Sequence, residues 1–350
     1  MPRASQIPLK CLFVVALTGF GSAVFADADH ADTETADAVE TYQGPKLLEV
    51  SNPVYPFSSQ RRGEEGWVVM QYMIDTAGKP YEISVVDSVG NPQFSDAAIA
   101  AVERFTFQPA MADGQPIDAG NHYKIKFALE GGAAGARRKF VSEFKKLSKA
   151  MSAGDRQEVD VRFEKLEVTN LYEDAFYNYA RAIYYANWGT PNQQLNAIRK
   201  AVAHETGEGY LRKAHYLSAL HQRFGLEVQL RDFAAAQKTA ALLMDVEKNE
   251  SQLASVAKVN EQVEQFRDGS ERFRVDANLG DRTSWWFDLF RPRFQVDISE
   301  GKIAELKLRC RRGYVFFRYD PQLEYSVSKE QMPCNLEVLG DPGTQFSIVQ

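Results

Sequence analysis

The hydrophobic period of this chain changes twice. Up to about Leu129 apolar and polar residues alternate, as in GWVVMQYMID at positions 66–75, which is the two-residue repeat of a half-buried strand. Between residues 137 and 268 the chain turns to Ala, Leu, Lys, Glu and Gln, and its apolar positions recur three and four apart, as on one face of a helix. Beyond Gly269 the alternation returns in FRVDANL, FQVDISEG, IAELKLRC and NLEVLG. At 350 residues the chain also exceeds the usual size of one core. These shifts predict an α+β multidomain protein: a mixed unit at 45–130, a flexible GGAAGA linker at 131–136, an all-α unit at 137–268 and a small antiparallel β unit at 269–350.

The N-terminus reads as export. Arg3 and Lys10 precede an apolar run from Cys11 to Phe20, and small residues close at Ala26, so residues 1–26 form a secretory signal cut after Ala26. The alternative is an uncleaved inner-membrane anchor, since positions 11–26 fall just short of the ~17 residues that span a bilayer. Residues 27–44 are acidic, without apolar period, and read as a disordered leader. Outside the signal only Cys310 and Cys334 remain, an even count that reads as a disulfide in an oxidising compartment. The net charge of -6 excludes a general nucleic-acid binder, which needs a basic surface.

The helical unit suggests hairpins. One helix stops at Gly189, turns through Thr190-Pro191-Asn192 and restarts, and a second turn is expected at Gly225, 36 residues later. That spacing resembles tetratricopeptide-type repeats, with a generic bundle as the alternative.

In the first unit, two alternating runs flanking Thr76-Ala77-Gly78-Lys79-Pro80 predict a hairpin. Ser95 or Asp96 can cap a helix whose face is Ala98, Ile99, Val102 and Phe105, and positions 121–129 supply a third strand. The resulting β-β-α-β order carries Tyr55-Pro56, Gln60, Glu65-Gly66-Trp67-Val68, Tyr72, Ile74-Asp75, Gly78, Phe94, Phe105, Phe107, Pro109-Ala110, Gly114, Pro116 and Phe127. As an ordered set these residues resemble the C-terminal domain of the TonB family of periplasmic energy transducers.

The resemblance implies a non-catalytic domain that grips an extended segment of an outer-membrane TonB-dependent transporter, or of another envelope protein, by adding it as a strand beside its last strand. Carried over position by position, it implicates Tyr55, Pro56 and Gln60 as partner contacts and the edge containing Tyr123, Ile125 and Phe127. Arg61 and Arg62 either attract an acidic partner or are solvated turn charges. An open edge also admits a homodimer. The family further implies an indirect link to the ExbB and ExbD motor and a periplasmic location. This chain departs from the family pattern by lacking a Pro/Lys-rich spacer and by carrying some 220 residues behind the domain. A periplasmic adaptor or assembly factor outside transport is therefore the competing expectation.

No enzyme and no cofactor is expected. His30, His122, His204, His215 and His221 show no paired metal spacing, and neither a phosphate loop nor a nucleophile elbow is present. The aromatic cluster at 285–290 reads as a core corner or a docking patch, and the Tyr177, Tyr179, Tyr184, Tyr185 stripe as helix packing or a peptide groove.

Overall fold

The computed structural model describes residues 42–129, 135–203 and 210–350. The expected signal, nearly all of the leader and most of the GGAAGA linker lie outside them. The last residues of the leader do not: β1 (Tyr42–Gln43) is a strand, paired with Ala112 and Met111, and the guanidinium of Arg311 lies 4.4 Å over the Tyr42 ring. A ladder and a cation–π contact order what composition alone reads as unfolded.

The first body continues with β2 (Lys46–Glu49), α1 (Phe57–Arg62), β3 (Gly66–Ile74), β4 (Pro80–Val89), α2 (Gln93–Val102), β5 (Thr106–Gln108), β6 (Ala110–Ala112), β7 (Gln115–Ile117) and β8 (Ala119–Phe127). Its main sheet runs β4-β3-β8, antiparallel throughout, with β3 in the centre. Alternation places Val68, Met70, Tyr72 and Ile74 on one face, where they pack with Phe94, Ala98, Ala101, Val102 and Phe105 of and beyond α2. The helix starts at Gln93 behind Pro92, earlier than Ser95 and without a side-chain cap, so Phe94 joins the core. The β3–β4 turn depends on Gly78: its φ is +79°, and a Cβ there would stand 1.9 Å from the Phe107 carbonyl oxygen.

The second body is α3 (Arg138–Ala153), α4 (Arg156–Lys165), α5 (Leu171–Trp188), α6 (Pro191–Ala201), α7 (Lys213–Gln229), α8 (Phe233–Val246) and α9 (Glu250–Arg267). Thr190 and Gln193 form a reciprocal capping box at the start of α6, with Pro191 in the first turn. The turn expected at Gly225 is absent. Helix α7 runs straight through it, because the flanking Phe224 and Leu226 are buried and their packing outweighs the ~1 kcal/mol helical cost of glycine. The chain reverses instead at Leu230–Asp232, where Arg231 takes the left-handed φ of 61°. The 36-residue spacing therefore does not mark successive turns. At this reversal Glu227 is fully buried and is paid for in bonds from Arg199, Arg223 and the Thr239 hydroxyl.

The third body is β9 (Arg274–Asn278), β10 (Ser284–Asp288), β11 (Arg293–Glu300), β12 (Ile303–Cys310), β13 (Tyr314–Arg318), β14 (Glu324–Ser326), β15 (Cys334–Gly340) and β16 (Gln345–Val349). Two four-stranded sheets, β10-β15-β12-β13 and β14-β11-β16-β9, share one core of Phe294, Leu306, Leu308, Leu336, Phe346 and Ile348. Cys310 and Cys334 face one another across β12 and β15 and are joined as a disulfide. In the aromatic cluster, Phe287, Leu289 and Phe290 lie in this core and the two tryptophans are half-buried, so the cluster is chiefly a core corner.

Candidate functional site

The sheet edge and the Tyr-Pro segment meet at one end of the first body. Among the described residues strand β8 terminates the sheet, pairing with β3 on its inner side. The side chains on its core face are not available to a partner: Ile125 and Phe127 are buried, and the Tyr123 ring sits edge-on to Phe105 at 5.2 Å. What these three positions can offer is main chain, while His122 and Lys126 are exposed on the other face. A proline at Ile125 would strike the core as well as the edge, so it cannot separate binding from folding.

Tyr55 joins the segment to this edge. Its hydroxyl donates to the Glu64 carbonyl at 2.5 Å, and its ring lies edge-on to Phe94 and Phe127 at 5.6 and 5.8 Å. Burial, helped by the nearby Glu65 and Glu64 charges, pushes its pKa up to about 12. Tyr55 is thus a fixed post. Pro56 then caps α1, and Gly63, left-handed at φ 67°, ends it.

That short helix presents Gln60 and Arg61 to solvent beside Phe57 and Val54, which are 70% and 75% exposed. The Arg61 guanidinium lies 5.7 Å over the Phe57 ring. The two arginines differ: Arg62 grips Glu64 through two bonds of 2.6 and 2.9 Å, while Arg61 is exposed over Phe57. The apolar ridge of Val54 and Phe57 was not legible in the sequence. Its one signal is a phenylalanine opening the otherwise polar run FSSQRR.

The opposite face of the sheet is closed. Trp67 and Met73 point away from α2 and are still only 2% and 0% exposed. Helical residues cover one end: Lys124 of β8 donates to the Ala203 carbonyl, Lys126 lies 5.2 Å over the Tyr210 ring, and Glu65 accepts from the Leu171 amide at 3.2 Å. Strand β12 lies against β3 and β8 at the other end. There Gly120 is required for space, since a Cβ would stand 2.9 Å from the Cys310 carbonyl oxygen. Arg309, wholly buried, bonds the Glu82 carbonyl, the Ser84 hydroxyl and the Glu337 carboxylate. Glu82 reaches it because a bulge in β4 gives that residue a φ of 49°.

Among the described residues no helix is long and apolar enough to cross a membrane, and no group of His, Cys, Asp and Glu is arranged to hold a metal ion.

Residues 51–129 match the family described as the Gram-negative bacterial TonB protein C-terminal. The chain is 32% identical to Protein TonB of Vibrio cholerae over 79 residues, covering 23% of this chain and 32% of that protein. It is 36% identical to Protein tonB2 of Pseudomonas aeruginosa over 77 residues, covering 22% of this chain and 28% of that one. The chain thus spans about a third of the length of these curated relatives. A solution structure of the Pseudomonas aeruginosa TonB C-terminal domain aligns over 27% of this chain and 91% of its own, at 28% identity and a TM-score of 0.23.

Proposed function

We propose, from the match of residues 51–129 to the TonB C-terminal family, that this protein acts by protein–protein interaction in TonB-dependent outer-membrane transport, binding an extended partner segment as an added strand on β8. The observation that carries this reading is the convergence of a terminal strand with the exposed Val54, Phe57, Gln60 and Arg61, tied together by Tyr55. Main-chain bonds to β8 would supply affinity and the ridge would read the segment leaving the edge. The partner is an outer-membrane transporter, the setting is the periplasm with or without an inner-membrane anchor, and any coupling to ExbB and ExbD is indirect. The function needs no catalysis and no cofactor. The helical body, read as tetratricopeptide-like hairpins, serves as scaffold.

One observation favours a second reading, an adaptor or assembly factor outside transport. The domain's sheet is built into the rest of the chain through Arg309, Lys124 and Glu65, unlike a head carried on a spacer.

The test is titration of the isotopically labelled protein with a transporter's N-terminal box peptide. Shifts should map to β8 and α1, and F57A and Q60A, both at exposed sites, should weaken binding at least tenfold while leaving the unfolding midpoint in place. Equal affinity in wild type and both variants would remove the ridge from the site. Absence of binding by the wild type would leave the adaptor reading.

A further inference from the structure

A cavity of about 790 Å³ that shares no lining residue with β8 opens between α8, the end of α9 and the third body. Its apolar lining includes Ala241, Phe290, Met332 and Pro333. Five cations, Lys238, Arg267, Arg291, Arg293 and Lys329, line it against two acids, Asp268 and Asp288, in a chain whose net charge is -6. A local excess of positive charge around an apolar concavity is the opposite of what the whole molecule would distribute by chance.

Most of these charges have duties. Lys238 pairs with Asp288 at 2.7 Å. Arg291 donates to the main-chain carbonyls of Phe266, Arg267 and Glu271, which neutralises the negative end of α9; burial lowers its pKa, opposed by the nearby Glu271 and Asp268 carboxylates. Arg267 donates to Gln237 and covers the Phe290 ring at 5.1 Å. Arg293 and Lys329 remain, with no ion pair or side-chain hydrogen bond among the described residues, one at the start of β11 and the other in the short 3-10 turn (Lys329–Gln331) before Met332.

We propose that this cavity binds a single-chain amphiphilic carboxylate, a fatty-acid-like molecule whose tail lies on Phe290, Met332 and Pro333 and whose head is met by Arg293 and Lys329. Arg293 and Lys329 stand exposed at the rim, so an anionic head gains an attraction from them that a wholly apolar ligand does not, and a small anion would leave the apolar lining wet; the lining therefore suits both parts together. The volume accommodates such a molecule with its head at the mouth. The site is independent of the strand-binding edge.

Calorimetric titration of the full chain with decanoate, below its micelle concentration, tests this. One saturable site is expected, at least tenfold tighter for decanoate than for 1-decanol or acetate. R293A/K329A, both changes at the surface, should cost at least tenfold for decanoate with little change for decanol and none in the unfolding midpoint. A241W, which sets a bulky ring at the exposed rim of the cavity, should weaken binding at least tenfold. Equal affinity for decanoate and decanol, undiminished binding by A241W, displacement of decanoate by hexaglutamate at comparable concentration, or no saturable binding would each overturn the proposal.

Discussion

Arg309 of the third body donates two hydrogen bonds to the main-chain carbonyl of Glu82 in the first, at 2.9 and 3.1 Å, while its remaining nitrogen meets Glu337 at 2.9 Å. The residues are separated by 227 positions, so this contact ties the first body directly to the third. The guanidinium is wholly shielded from solvent and rests 5.0 Å over the Trp286 ring. Replacing it with alanine strands the Glu337 carboxylate and the Glu82 carbonyl. The expected loss is about 3–5 kcal/mol in urea denaturation, with Arg309→Lys losing less. A loss below about 1 kcal/mol would mean that water replaces the lost bonds and that the tie is not structural.

Arg62 holds the Glu64 carboxyl down at about 2 from an ordinary 4.5, chiefly through its side-chain hydrogen bonds, with Asn91 and Ser59 assisting. A depressed carboxylate contributes stability that is complete above its unfolded value and is lost as pH falls toward the folded one, here between about 4.5 and 2. In Arg62→Ala the Glu64 carboxyl should titrate nearer its ordinary value and that acid-dependent contribution should shrink. Carbon-detected magnetic resonance of Glu64 across this range measures it directly. An unmoved titration in the variant would assign the depression to other partners.

The Cys310–Cys334 disulfide closes a loop with a sequence separation of 24 at the end of β12 that abuts Gly120. Its removal in C310S/C334S should destabilise the chain by about 3 kcal/mol, seen as a lower urea midpoint, and reductant should reproduce the shift in the wild type. Coincident curves with and without reductant would contradict this.

Gly78→Ala meets two obstacles at once, a left-handed backbone and a clash with the Phe107 carbonyl oxygen. A loss of about 2 kcal/mol or more is expected, with the largest amide shifts in β3, β4 and β5. A neutral substitution would show that the turn can reopen without cost.

The β3–β4 hairpin is plain in the sequence because one side of it follows strict alternation: Val68, Met70, Tyr72 and Ile74 are apolar and all face α2. Trp67 and Met73 carry the information that the other side is also covered, but a pair of apolar residues on a strand's second face does not say what covers them. The likeness to the TonB family named Tyr55 and the β8 edge as candidates. It could not distinguish Arg62, whose partner Glu64 stands two residues away, from Arg61, which lies over Phe57. Gly225 misled because glycine marks turns only where neighbouring packing does not hold a helix together. The Arg309–Glu82 contact was illegible for a simpler reason: it depends on a β4 bulge and on a sequence distance no local pattern spans.

The closed outer side of the β4-β3-β8 sheet bears on the order in which the protein is made. Glu65 receives its Leu171 partner 106 positions downstream, and Glu82 waits 227 positions for Arg309. A growing or translocating chain therefore exposes Trp67 and Met73 long before anything exists to bury them. This module emerges before the two that complete it, and throughout that interval its apolar side is a hazard for association with other nascent chains.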